Sequence, residues 1–271
     1  MPNEVRSLAE WESAGIPGLL SVIIPAHNEE GHLTGTVEAL VSALSKAGIG
    51  HEILIINDNS TDGTERVLRS LADKYDHVRY ACNVPPAGFG FAVRCGLTLF
   101  RGDAVAIVMA DGSDSPADVV RQYQKLREGY DCVFGSRFIR GSTVVDYPLP
   151  KWILNRCANL MIQALFLLRF NDVTNAFKLY SRSTIAGVQP LLSSHFNLTV
   201  ELPLKCIVRG YSYAVIPITW RNRKEGISKF NIREMGSRYL FIILYCLIEK
   251  LLSRGDFMVL DRSSRLQVWP H

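Results

Sequence analysis

Three short turns carry most of the residues that could do chemistry: PAHNEE (25–30), NDNSTDG (57–63) and DGSD (111–114). Asp111 and Asp114 offer hard carboxylate oxygens, the ligands that suit Mg²⁺ or Mn²⁺ shared with the phosphates of a substrate. A cation held there would neutralise charge building on a departing diphosphate. Each turn read alone is also a helix cap, because Asp, Asn and Ser cap helices well. Three of them on one edge of a sheet favour a binding cleft.

Basic residues concentrate later in the chain. Residues 20–120 hold seven Lys/Arg against thirteen Asp/Glu, residues 137–182 seven against two, and residues 221–254 eight against three. The first half therefore suits a cation, and the second half suits phosphates or acidic lipid head groups. No dense basic run is interleaved with aromatics, so a nucleic-acid partner is not expected. Glu201, early in a helical stretch, reads either as a charge favoured by the helix dipole or as an acceptor-orienting group or general base. His195 has no evident partner and reads as structural.

The turns need elements to hold them. Residues 19–25 (LLSVIIP), 52–57 (EILIIN) and 104–110 (AVAIVMA) are uninterrupted apolar runs of the kind buried on both faces of a parallel sheet. Shorter strands are expected at 77–81, 131–134, 175–181 and 211–220. Helices are expected at 31–48, 63–75, 91–100, 116–128, 151–170, 198–210 and 231–253. Alternating strand and helix implies an α/β fold, a mostly parallel sheet with helices on both faces. Ligands on such sheets gather beyond the carboxyl ends of the strands, where all three turns fall. Residues 1–18 read as a loose leader without the apolar stretch of a signal peptide, residues 19–230 as one domain, and residues 231–271 as a C-terminal apolar helix and tail.

Several classes are disfavoured. No GxGxxG follows the first strand and no GxxxxGK[ST] occurs. The six cysteines are not paired as CxxC and lie mostly in apolar stretches, as reduced thiols do. The apolar run 239–248 (YLFIILYCLI) is half the ~20 residues a bilayer span needs. It reads as a core helix or as an interfacial helix with Arg233, Arg238, Lys250 and Arg254 facing acidic lipids. Residues 160–170 (LMIQALFLLRF) could add a second apolar surface. Either surface could instead cover a second copy of the chain or a membrane partner subunit.

The ordered set SVIIPAHNEE (21–30), INDNSTDGT (56–64), MADGSDSP (109–116), FGSRF (134–138), DVTNAFKLYSR (172–182), VELPLKCIVRGY (200–211) and IPITWRNRKEGISKF (216–230) resembles the family 2 glycosyltransferases of the GT-A fold. Within them it is most similar to polyprenol-phosphate sugar synthases, the dolichol-phosphate mannose synthase type. The resemblance implies a Rossmann-like sheet and an inverting, metal-dependent transfer of a hexose from a GDP- or UDP-sugar to a polyprenyl phosphate. Catalysis would occur in the cytoplasm, peripherally on the inner face of a membrane. It assigns Pro25, His27 and Glu29 to the border of the nucleotide, Asp58 to its base, and Asp111 to the metal and diphosphate. Arg137, Lys178, Arg223 and Lys229 become phosphate contacts, and residues 222–230 a lid. Glu201 would bind or orient substrate, since an ionised lipid phosphate needs no base. The chain departs from the family where His27 replaces a common tyrosine, Asn57 an acid, Phe89 a frequent lysine, and Ser113 the second acid of the usual DxD. Two other readings stay open: a family 2 enzyme with a soluble sugar or glycan acceptor, using Glu201 or Asp172 as base, and a non-catalytic nucleotide-sugar-binding protein.

Overall fold

The computed structural model describes residues 15–222, 232–253 and 255–259. The long apolar runs form the middle of the sheet. Strand β1 (Ile16–Ala26) lies between β2 (His51–Asn57) and β4 (Gly102–Ile107), parallel to both, and β3 (Val78–Cys82) extends the sheet beyond β2. Strand β1 thus takes in residues 16–18, which the sequence had placed in the leader.

On the other side of β4 the order continues through β7 (Lys178–Ser181), β5 (Cys132–Ser136) and β8 (Tyr213–Pro217). Strand β7 runs antiparallel to both neighbours, while β5 and β8 are parallel. The stretch expected as one strand at 211–220 is two: β8, then β9 (Thr219–Arg221), which leaves the sheet to pair with β6 (Thr143–Val145).

Alternate residues of a strand face opposite sides, and β1 divides accordingly. Val22 and Ile24 pack with Leu33, Val37 and Leu40 of α1 (Leu33–Lys46), Leu68 and Leu71 of α2 (Thr64–Lys74), and Val119 and Tyr123 of α4 (Pro116–Leu126). Ile23 faces the other core. There it joins Ala92, Val93 and Leu97 of α3 (Phe89–Leu99), Ile162 and Phe166 of α5 (Leu149–Phe166), Ile185 of α6 (Arg182–Gly187), and Val200, Leu202 and Leu204 of α7 (Leu198–Val208). Ile242, Ile243 and Cys246 of α8 (Ile232–Leu252) complete that side.

Helix α8 is locked down through its charges. The Arg209 guanidinium donates from Nε to Glu249 Oε1 at 2.7 Å and from Nη2 to Oε2 at 3.1 Å, both side chains being buried. Lys250 donates to Phe166 O at 2.7 Å and so satisfies a carbonyl at the end of α5. Lys250 is otherwise exposed. Arg233 and Arg254 lie outside the described side chains. Outward from these anchors, Leu240, Phe241, Leu244 and Ile248 of α8 and Trp152, Ile153, Leu160 and Met161 of α5 are exposed. Among the described residues no helix is long and apolar enough to cross a membrane.

Candidate active site

The first two turns interlock. Asp58 N donates to Ala26 O at 2.8 Å, and His27 Nδ1–H donates to Asp58 O at 2.7 Å. Asn28, with φ of 58°, takes the Thr61 amide on its Oδ1 at 2.8 Å. Glu29 N donates to Thr64 Oγ1 at 2.9 Å, and Glu30 Oε2 accepts the Gly63 amide. Pro25 is buried at the end of β1, His27 is exposed, and Glu29 Oε2 lies 3.1 Å from His32 Nδ1. Pro25, His27, Glu29 and Asp58 are therefore brought to one ledge.

The Asp58 carboxylate is buried and already engaged. Its Oδ1 accepts from Asn83 Nδ2 and its Oδ2 from Gly88 N, both at 2.8 Å. Asp58 thus fixes the segment 83–88 that enters α3. That entry leaves no room for side chains: a Cβ on Gly90 would lie 2.6 Å from Ser193 O, and one on Gly88 would lie 2.6 Å from Ser194 O. Glycine at 88 and 90 thus lets the backbone approach the chain's own 193–195 loop closely.

The third turn follows β4. Asp111 is partly exposed and its Oδ1 accepts the Ser113 amide at 3.1 Å; Asp114 is buried and its Oδ2 accepts the Met109 amide at 3.0 Å. Neither carboxylate caps α4, whose N-cap Ser115 makes no side-chain bond either. The helix-cap reading therefore fails at this turn. Burial pushes the Asp114 carboxyl up to about 7, with the charges of Asp111 and Asp118 adding to the effect. The Met109 amide and the charge of Arg137 oppose this rise without cancelling it, and a hard divalent cation would supply further positive charge. No group of three His, Cys, Asp or Glu suited to a metal occurs among the described residues. The donor set fits a cation whose remaining ligands come from a diphosphate and from water.

Beyond the sheet's β7, Arg137 follows β5. Its Nε donates to Asp172 Oδ2 at 2.8 Å and its Nη2 to Oδ1 at 2.7 Å, a two-pronged buried pair. The pair's charge raises the Arg137 pKa against the effect of its own burial. The guanidinium carbon lies 5.4 Å from the Tyr147 ring and 5.7 Å from the Trp220 ring. Trp220 bridges back to Asp114, and Arg221 N donates to Ser113 O at 3.1 Å, so this box adjoins the carboxylate turn. Lys151 Nζ is 5.7 Å from Trp220, and the Arg156 guanidinium is 4.5 Å from the Phe138 ring. The sequence reading missed Tyr147, Trp220, Lys151 and Arg156. Its usable signal was the excess of Lys/Arg over residues 137–182.

Two expected site residues lie inside the core. Lys178 is 1% exposed and its three neighbours are backbone carbonyls, so it is no phosphate contact. Glu201 is fully buried: Oε1 accepts from Leu192 N at 2.7 Å and pairs with Lys205 Nζ at 2.9 Å, and Oε2 accepts from Ser193 N at 2.7 Å. With both oxygens spent on the loop beneath Gly88 and Gly90, Glu201 cannot reach a substrate. Arg223 and Lys229 lie outside the described residues, as does all but the first residue of the 222–230 loop.

A family profile described as glycosyl transferase family 2 matches residues 21–187. Polyprenol monophosphomannose synthase of Mycolicibacterium smegmatis is 31% identical over 222 residues, covering 79% of this chain and 82% of that protein. Dolichol-phosphate mannosyltransferase of Pyrococcus furiosus is 27% identical over 215 residues, and the match spans 78% of this chain but only 58% of that longer protein. Among solved structures, glucosyl-3-phosphoglycerate synthase of Mycobacterium tuberculosis with Mn²⁺, uridine diphosphate and phosphoglyceric acid superposes with a TM-score of 0.64 at 21% identity, covering 90% of this chain and 82% of that one. That likeness establishes the fold. The motifs, the sheet and the profile agree, and the chain belongs to glycosyl transferase family 2.

Proposed function

We propose that the protein transfers a hexose, of mannose or glucose type, from a GDP- or UDP-sugar to a polyprenyl phosphate, with inversion at the anomeric carbon. The observation that carries this reading is the engagement of the two carboxylates that a hydroxyl acceptor would need. Glu201 is buried against Lys205 and two amides, and Asp172 has both oxygens on Arg137. A phosphate acceptor arrives ionised and needs no base.

The groups on the ledge have separable tasks. Pro25, His27 and Glu29 border the nucleotide, and Asp58 sets the ledge through Asn83 and Gly88. Asp111 and Asp114 would hold a divalent cation, Mg²⁺ or Mn²⁺, which would lower the cost of charge on the leaving diphosphate. Arg137 keeps N–H groups that Asp172 does not use, since a guanidinium has five donors. It faces the acceptor phosphate together with Lys151. A phosphate oxygen attacks the anomeric carbon as the bond from that carbon to the diphosphate oxygen breaks, and the electron pair leaves with the nucleoside diphosphate.

The apolar outer residues of α5 and α8 support a lipid acceptor. Lys151 and Arg156 belong to the same helix as exposed Trp152, Ile153, Leu160 and Met161, so a basic box continues into an apolar surface. Such a surface suits a protein lying on a membrane at its inner, cytoplasmic face. In the test, the full chain receives labelled GDP- and UDP-sugars, Mg²⁺ or Mn²⁺, and a short polyprenyl phosphate. A labelled lipid product that disappears with chelator is expected. Transfer to a soluble sugar, with none to lipid, would overturn the acceptor assignment.

A further inference from the structure

Lys178 is a buried charge that the reaction above does not use. It opens β7 in the middle of the sheet, between Ile107 of β4 and Phe134 of β5. Its Nζ donates to Val173 O at 3.0 Å, to Thr199 O at 3.2 Å and to Asn175 O. An ammonium has three N–H groups, and all three are consumed by carbonyls. Burying a lysine is costly even when it is hydrogen-bonded, and the pKa of this one is brought down to about 7, chiefly by burial.

The carbonyls it collects show what it holds. Val173 and Asn175 belong to the turn 172–175, and Thr199 belongs to the first turn of α7. The same turn is tied to β5 by Asn175 Nδ2, which donates to Gly135 O at 3.1 Å, and to α5 by Thr174 Oγ1, which accepts from Asn155 at 2.8 Å and from Asn159 at 2.9 Å. Among these ties, only the lysine joins the turn to α7. Asp172 at the head of the turn receives the Arg137 amide at 2.9 Å as well as the guanidinium. The placement of Arg137 beside Tyr147, Trp220 and the carboxylate turn therefore depends on a turn that Lys178 staples.

We infer that Lys178 is a positioning residue: acting through the turn 172–175 and Asp172, it sets the guanidinium of Arg137 for the acceptor phosphate. The kinetic part of this inference rests on the proposed transfer, whereas the placement of Arg137 can be measured without any activity.

The test uses the full chain with Lys178→Met, which fills a similar volume without donors, and Lys178→Gln, which keeps two N–H groups, as the second variant. The Arg137 Nε–H signal in a ¹H–¹⁵N spectrum is identified by its loss in Arg137→Lys. It should exchange with solvent about tenfold faster or more in Lys178→Met, because the buried pair opens more often. In the transfer assay kcat should fall about 10- to 100-fold, the scale of a small misplacement, with donor KM unchanged. The double variant Arg137→Lys/Lys178→Met should lose no more than Arg137→Lys alone. An unchanged Arg137 signal, or additive losses in the double variant, would overturn the inference. If Lys178→Met fails to fold, the same three measurements on Lys178→Gln decide it. A wild-type chain without transfer would defeat the proposed function and leave the spectroscopic test of Lys178 standing.

Discussion

Replacing Glu201 by Gln separates a structural carboxylate from a catalytic one. Both members of the Glu201–Lys205 pair are fully buried, and the carboxylate takes two amides besides the ammonium. Gln keeps the shape but turns one acceptor into a donor facing the Leu192 or Ser193 amide and leaves the Lys205 charge uncompensated. Breaking a buried pair from one side costs about 3–5 kcal/mol. At about 2–4 °C per kcal/mol for a chain of this size, the melting temperature should fall by roughly 6–20 °C. Circular dichroism during heating gives that number, and kcat is measured well below the transition. The folded variant should keep kcat within a few-fold, since no proton passes through Glu201. Glu201→Met/Lys205→Met should melt higher than Glu201→Met alone, because no lone charge remains. A fall in kcat of about 100-fold or more, the size of a lost general base, with an unchanged melting temperature would refute the reasoning.

Two further predictions concern titrating groups. The Asp114 carboxyl sits at about 7 without a cation, so below that pH a proton must leave when metal binds. Apparent Mn²⁺ affinity should therefore weaken by up to about tenfold per pH unit on the acid side, and Asp114→Asn should weaken binding and flatten that slope; equal affinities one pH unit either side of 7 would contradict this. At the far end of the sheet, burial holds the His51 imidazole below its ordinary 6.5, with His77 lowering it further and Ile49 O, which accepts from its Nδ1–H, opposing. Folding disfavours the protonated ring, so this contribution to stability is full above 6.5 and is lost as pH falls from 6.5 through the lowered folded value. Urea midpoints across that range should drop in the wild type and change less in His51→Phe; identical profiles would remove the effect.

The central strands were legible because a strand buried on both faces writes itself as an unbroken apolar run, as in β1, β2 and β4. Strand β6 has only three residues, too few for a period, and the split of 211–220 depends on where β9 finds its partner. The reversed direction of β7 left no trace, because four residues read alike both ways and tertiary pairing alone fixes their sense. At the site, the carboxylate turns could be read from their position after apolar strands. The charged residues of the second half could not be sorted. Lys178, Arg137 and Glu201 look alike in sequence, yet their partners are carbonyls, a carboxylate 35 residues away and two amides. Lysine and glutamate are seldom fully buried, so nothing in the sequence marked as core residues the Lys178 and Glu201 that the family resemblance assigned to substrate.

The insertion of β7 between β4 and β5 has a consequence for synthesis on the ribosome. Strands β1 to β4 can pair with one another as they emerge. Strand β5 has no partner until residues 178–181 arrive, because its sheet neighbours are β7 and β8. Until then the growing chain carries an open edge at β4, an unpaired β5 and the outward-facing apolar residues of α5. An open edge beside apolar surface is an aggregation hazard, so a nascent chain paused between Ser136 and Lys178 is the stage at which a chaperone matters most. A fragment ending before Lys178 would keep the carboxylate turn 111–114 in sequence and lose the strand that joins β4 to β5.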